Sequence, residues 1–327
     1  MNYDPQNLLD VIKKFPSQFE ISLKEKSKFP RIDRVKKIMI CGMGGSAFPS
    51  EVVSNFLGGK VNIAVSRGYK VPEYVTKDTL ILLCSYSGNT EETISSFLDA
   101  KKKKLKTAVL TAGGELLELA NKYKVPFLLL PSGIPPRCAL GHFFTSLIII
   151  LEKCGLVSLQ DKKIQDLAKF LQNLDIENSS LQIAKSLQGK LPIIYSSNAF
   201  SSIAQIWKIK INENSKQQAF YNVFPELNHN EMIGWTTLIT NPHFIFIRNN
   251  EDHPNIQKRM DILKEIFREK KLEVTEVWME GRNVLEKMFS TLYIADFVSY
   301  HLAIVNKLNP YPVDLVEDFK KRMTEIF

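Results

Sequence analysis

The chain is short of the residues that build metal and disulfide sites. It has only four cysteines and five histidines in 327 residues. Cys41, Cys84, Cys138 and Cys154 contain no C-x-x-C pair, and Cys41 and Cys84 fall in apolar runs that read as buried strands. These thiols therefore read as small buried hydrophobes in a reducing compartment. His142, His229, His243, His253 and His301 show neither H-x-x-x-H nor H-x-H spacing, so no zinc site is expected. The stretch around Leu147–Leu151 is too short and too interrupted for a membrane span, and Met1-Asn2-Tyr3-Asp4-Pro5 does not read as a signal peptide. Aromatics are missing from the lysine runs, Lys101–Lys104 and Lys320-Lys321-Arg322. The net charge of +8 therefore reads as solvated basic faces, with some attraction for phosphorylated metabolites and none specific to nucleic acid. What remains is a cytoplasmic protein with no membrane segment. It is 44% hydrophobic and 24% charged, and long enough for two domains.

The apolar patterning supports that division. Leu8, Leu9, Val11, Ile12, Phe15 and Phe19 have helical spacing and predict a helix over 6–22. Short apolar strands follow at 36–41, 61–66, 79–84, 105–111 and 125–130, each leading into a small polar turn and helical spacing. A long apolar helix closes this half at about 138–154. Residues 155–185 read as polar and helical. The second half resumes with a strand at 191–197 ending in hydroxyls. Further strands are expected at 236–240, 243–248 and 272–279, and helices at 254–268, 284–306 and 312–324. Strands alternating with helices predict an α/β fold, with a doubly wound, mainly parallel sheet flanked by helices in each of two subdomains, 1–154 and 155–327.

The most chemically loaded stretch is Ser85-Tyr86-Ser87-Gly88-Asn89-Thr90-Glu91-Glu92-Thr93, between a strand and a helix. A helix N-terminus carries unpaired N–H groups and a partial positive charge, which suits an anion. Ser85, Ser87 and Thr90 would add hydroxyl donors. Capping the helix would need only one of them, so the surplus points to a phosphate cup.

A second turn, Gly42-Met43-Gly44-Gly45-Ser46-Ala47, fits the dinucleotide pattern G-x-G-x-x-G/A. That fingerprint calls for an acid some 20 residues on, at the end of the second strand, to hold a ribose. Here the strand ends Val65-Ser66-Arg67-Gly68. Arg67 leaves room for an NADP-dependent oxidoreductase, but the hydroxyl-rich third turn is foreign to that fingerprint. It favours one phosphate held between turns, with glycines permitting close approach to the backbone.

Gly44-Gly45-Ser46 and Ser85–Thr90 resemble the sugar isomerase (SIS) domain. The later segments Pro136-Arg137-Cys138-Ala139-Leu140-Gly141, Asn212-Glu213-Asn214-Ser215-Lys216, Pro225-Glu226-Leu227-Asn228-His229-Asn230-Glu231, and Asn309-Pro310-Tyr311-Pro312-Val313 on to Lys320 make the chain similar to the bifunctional phosphoglucose/phosphomannose isomerase family. The resemblance spans nearly the whole chain. It implies a metal-free, cofactor-free aldose–ketose isomerase acting on hexose 6-phosphates through a cis-enediol, in a homodimer with its active site at the subunit interface. It further implies that Ser46, Ser85, Ser87 and Thr90 hold the phosphate and that Gly45 contacts substrate. Glu213 would move the proton between C1 and C2, Arg137 would steady the enediolate, and His229 and Lys320 would assist ring opening.

Alternatives stand beside these assignments: Glu226 or Glu231 as the base, with Glu231 otherwise orienting His229; His301 in place of His229; and Lys321 in place of Lys320. Helical spacing puts Val313, Val316, Phe319 and Lys320 on one side. Tyr311 stands where the family favours a small hydroxyl residue, which bears on acceptance of the mannose epimer. A non-catalytic sugar-phosphate-binding protein of the same fold is the rival functional class.

Overall fold

The computed structural model describes residues 2–325. Contacts divide it into two compact units, one of Lys13–Leu174 with Asn283–Glu286, the other of residues 2–12, Asp175–Arg282 and 287–325. The expected division at 154/155 falls just before the Asp161–Gln172 helix, which groups with the first unit.

The first unit is built on five parallel strands: β1 (Lys37–Gly42), β2 (Asn62–Ser66), β3 (Thr79–Ser85), β4 (Lys106–Thr111) and β5 (Phe127–Leu129), in the order β2-β1-β3-β4-β5. All seven residues of β3 are buried, as a strand covered on both faces requires. Its side chains alternate in period two. Ile81 and Leu83 pack in one cluster with Phe97, Val109 and Leu116. Leu82, with Ile38 and Ile40, faces Val53, Leu147 and Ile150. The latter two come from the Leu140–Lys153 helix, whose first twelve residues are all buried. Burying each such side chain contributes about 1.5–3 kcal/mol.

The expected helix over 6–22 is two, Leu8–Lys13 and Ser17–Leu23. The break falls at Pro16, which has no N–H and clashes with the preceding turn.

The second unit has four parallel strands: β6 (Leu191–Ser197), β7 (Phe220–Phe224), β8 (Pro242–Arg248) and β9 (Glu273–Trp278), in the order β7-β6-β8-β9. An aromatic core of Tyr195, Phe224, Phe244, Phe246 and Phe267 fills one face, with the Phe244 and Phe267 rings 4.2 Å apart. Residues 236–240 form no strand, and Ile239 there is 94% exposed. The strand is instead Phe220–Phe224, the edge partner of β6. Thr-Thr-Leu-Ile-Thr has strand-like residues, but pairing is settled by where the chain lies, not by propensity.

The Val284–Val305 helix is long and apolar enough to cross a membrane by length and composition, although its scattered polar residues leave no unbroken apolar run. Its most apolar window is 83% buried within the protein. Trp207 Nε1 donates to Thr291 O at 3.0 Å, and Lys210 pairs with Asp296, both buried. These contacts tie the Ser201–Ser215 helix to the Val284–Val305 helix. Asp296→Ala would take the carboxylate from a buried ammonium, a change that typically costs about 3–5 kcal/mol. The expected result is an equal fall in unfolding free energy from urea titration.

Candidate active site

In a doubly wound sheet, ligands lie beyond the carboxyl ends of the strands where the winding reverses. In the first unit that place is between β1 and β3. The turns that follow these two strands are the glycine-rich turn and the hydroxyl-rich turn. The fold therefore brings together two motifs that are distant in sequence: Ser46 in one and Tyr86 in the other are hydrogen-bonded across a separation of 40 residues.

The hydroxyls form a connected set. Ser46 Oγ accepts from the Tyr86 N–H at 3.1 Å, joining the two turns. Ser85 Oγ lies 2.8 Å from Thr90 Oγ1 and accepts from the Gly88 N–H at 3.0 Å. Ser87 Oγ accepts from the Asn89 N–H at 3.3 Å. Thr90 is the N-cap of the Glu91–Lys102 helix but makes no side-chain cap bond, so capping is not what its hydroxyl does. Ser46 and Ser85 are buried, Thr90 is half-buried and Ser87 is exposed. The cup thus has a fixed floor and an accessible rim.

The cup is braced from the side. Tyr86 Oη donates to Pro131 O at 2.8 Å, and Asn89 Oδ1 accepts from the Glu115 N–H at 3.0 Å. Gly88 has φ +72°, and a Cβ there would sit 1.8 Å from Gly113 O. No side chain can be accommodated at that approach.

Arg137 belongs to the same unit. It lies in the Pro136–Cys138 turn and is 6% exposed. A Cβ added to Gly45 would be 3.4 Å from Pro136 O and 3.6 Å from the Arg137 Cα. The arginine turn therefore lies directly against the glycine-rich edge of the cup. Arg67, the residue that kept an NADP reading open, is ion-paired to Glu51 at 2.6 Å. An acid held there would oppose a 2′-phosphate.

The second unit carries Glu213, His229 and Lys320. Glu213 is half-buried in the last turn of the Ser201–Ser215 helix. Lys216, with φ +55°, ends that helix. Its Nζ donates to the carbonyls of Glu213 and Pro310, the latter at 3.0 Å. Asn214 Nδ2 donates to Ser299 Oγ at 2.9 Å, and Ser215 Oγ donates to Ser299 O at 2.7 Å. The chain at and just after Glu213 is thus fastened, a feature legible in the sequence only as a polar cluster.

His229 ends the Glu226–His229 turn and is exposed. Glu231 does not orient it. The Glu231 carboxylate accepts from Tyr195 Oη at 2.5 Å and from Asn222 Nδ2, while Trp235 Nε1 donates to the same Tyr195 oxygen at 2.9 Å. Burial and this carboxylate push the Tyr195 phenol well above its usual range. Glu226 accepts from Asn230 Nδ2 at 2.6 Å. Both rivals for the base have structural partners.

Lys320 is exposed on the Asp314–Glu325 helix and paired with Glu317 at 2.7 Å. Leu315, Val316 and Phe319 of that helix are exposed as well. The expected face of Val316, Phe319 and Lys320 is therefore not packed. His301 is buried between Phe297 and Tyr300. All four thiols are free and buried, and burial pushes Cys41 and Cys84 upward. Their burial agrees with the reading of them as small hydrophobes.

Two hydroxyl- and glycine-rich turns at the switch point of one parallel sheet, with a second sheet of the same winding, give the chain a paired, doubly wound α/β architecture. Residues 176–323 match the family described as the bacterial phospho-glucose isomerase C-terminal SIS domain. The bifunctional phosphoglucose/phosphomannose isomerase of Caldicellulosiruptor bescii is 36% identical over 90% of this chain and 92% of its own length. The enzyme of the same name from Aquifex aeolicus is 32% identical over 97% and 98%. In fold, the chain is similar to tagatose-6-phosphate ketose/aldose isomerase from Escherichia coli, with TM-score 0.67, 15% identity, and coverage of 92% and 93%. The chain belongs to the bifunctional phosphoglucose/phosphomannose isomerase family.

The close approach at Gly88 can be tested directly. Gly88→Ala should disrupt the cup, and the rise in melting temperature produced by a saturating phosphorylated sugar should be lost.

His142 is buried beside Ser22, and burial lowers its pKa to about 4. The unfolded imidazole titrates near 6.5, so below that pH the unfolded chain binds a proton that the native one refuses. Stability is therefore full above about pH 6.5 and falls by up to about 3 kcal/mol as pH drops toward 4. A His142→Gln variant should show that much less acid sensitivity in its urea midpoint.

Proposed function

We propose that the chain interconverts glucose 6-phosphate and mannose 6-phosphate with fructose 6-phosphate through a cis-enediol, without a metal or cofactor. The observation that carries this reading is the placement of Arg137 against the Gly45 edge of the hydroxyl cup. With its backbone at that edge, the Arg137 guanidinium would supply a cation for a developing oxyanion near the bound phosphate.

Ser46, Ser85, Ser87 and Thr90 hold the phosphate. The Ser85 and Thr90 hydroxyls, bonded to each other at 2.8 Å, turn onto phosphate oxygens when substrate binds. Their donors oppose no fixed negative charge of their own. Glu213 takes the proton from C2 of the aldose and returns it to C1, as a positioned carboxylate can. Arg137 offsets the charge on the enediolate oxygen. His229 and Lys320 serve ring opening by moving a proton to and from the ring oxygen. The exposure of His229 supports its being offered to a neighbouring copy, in a cytoplasmic homodimer whose active sites lie at the interface. Tyr311 is half-buried, with its N–H donating to Asn309 Oδ1 at 3.0 Å. The ratio of mannose to glucose turnover is assigned to this segment.

The test is a coupled assay for fructose 6-phosphate from each aldose, with and without EDTA. Turnover unaffected by chelation is expected, and no turnover on either sugar rejects the enzyme. Glu213→Gln should lower kcat by about 1,000-fold or more, at the upper end for loss of a general base, with binding of a hexitol 6-phosphate intact. Near-normal turnover would move the base elsewhere.

A further inference from the structure

Gln18, on the Ser17–Leu23 helix, is 4% exposed and has no part in the mechanism above. Its side chain bridges the end of the Arg137 turn and the start of the Leu140–Lys153 helix. Nε2 donates to Cys138 O at 2.7 Å. Oε1 accepts from the backbone N–H of Gly141 at 3.1 Å and of His142 at 3.3 Å. Those two N–H groups lie in the first turn of the Leu140–Lys153 helix, where no acceptor exists within the helix. The next, Phe143, already donates to Ala139 O.

A carboxamide is suited to this place because it both donates and accepts without carrying charge. Gly141 is its complement, since a Cβ there would lie 2.9 Å from Gln18 Cβ and 3.0 Å from Oε1. Ser22 adds a second tie from the same helix, with Oγ 2.8 Å from His142 Nδ1. Capping the helix would need only the acceptor. The bond from Nε2 to Cys138 O reaches the residue next to Arg137 and couples that turn to the helix.

From these contacts we infer that Gln18 is a positioning residue for Arg137. It sets the angle at which the Pro136–Cys138 turn presents the guanidinium beside the cup. The inference rests on the role given to Arg137 above.

The test compares two phosphorylated ligands by calorimetry. One is a hydroxamate that mimics the enediolate, the other a hexitol 6-phosphate that offers no such charge. Gln18→Met removes all three bonds at similar volume. Misplacing a charged group by a fraction of an ångström should weaken the hydroxamate by about tenfold, with the hexitol phosphate unchanged. A purely structural role would instead lower the melting temperature or the number of sites and leave the ratio of the two affinities as it was, which overturns the inference. Should Gln18→Met not fold, Gln18→Glu keeps the acceptor and loses the donor to Cys138, and the same ratio decides. Arg137→Gln is the reference. If it does not weaken the hydroxamate, the reading of Arg137 fails and this inference with it. If it does and the Gln18 variants do not, only the positioning role fails.

Discussion

One close approach organises the candidate site. The Ser85–Thr90 turn lies against the Gly113–Gly114 backbone with no space for a methyl group, a Cβ on Gly88 meeting Gly113 O at 1.8 Å. That contact fixes the Gly88 N–H, which donates to Ser85 Oγ, and Ser85 is held beside Thr90. The next turn along the sheet edge therefore braces the hydroxyls. Asn89 and Tyr86 extend the brace to Glu115 and Pro131. A turn that offers an anion only neutral hydroxyls and N–H groups has no charge of its own to attract it, so any selectivity it has depends on such pre-set geometry.

The parallel sheet explains why the brace exists at all. Winding that proceeds from β1 to one side and from β3 to the other leaves the ends of these strands uncovered by crossover connections. Turns placed there face a crevice instead of a helix. The glycine-rich turn and the hydroxyl turn are neighbours for this reason alone.

Legibility in the sequence followed the range of the interactions. The hydroxyl turn, the strands before it and the long buried helix were readable because their signals are local: alternation, helical spacing and a cluster of hydroxyls. The second half was harder at its sheet edge. Thr236–Thr240 has better strand residues than Phe220–Phe224, yet only the latter lies alongside β6. The break at Pro16 is a local signal that the apolar spacing outweighed. Gln18 illustrates what no local rule can find. Its bond to Cys138 O joins residues 120 apart, and the only trace in the sequence is a glycine at 141 whose reason is a side chain elsewhere. Glu231 shows the same limit from the other side. It is near His229 in sequence, but its carboxylate is taken by Tyr195 and Asn222, from strands β6 and β7.

The second sheet repeats the winding but not the chemistry. Its reversal lies between β6 and β8, and a serine at the end of β6 again reaches across. Ser197 Oγ, however, donates at 2.8 Å to Asp252 Oδ1, where Ser46 in the first unit accepts from a backbone N–H. Lys287 closes the same region, donating to Asn250 Oδ1 and pairing with Glu251, each at 2.8 Å. Asp252 is buried, and burial pushes its carboxyl above the usual range. An incoming phosphate would meet a fixed carboxylate at the place where the first unit offers only hydroxyls and N–H groups. Like charges brought close together repel strongly in a low-dielectric surrounding. The two halves thus share a topology that makes a crevice, and among the described residues an acid stands in the second where the first carries a hydroxyl turn.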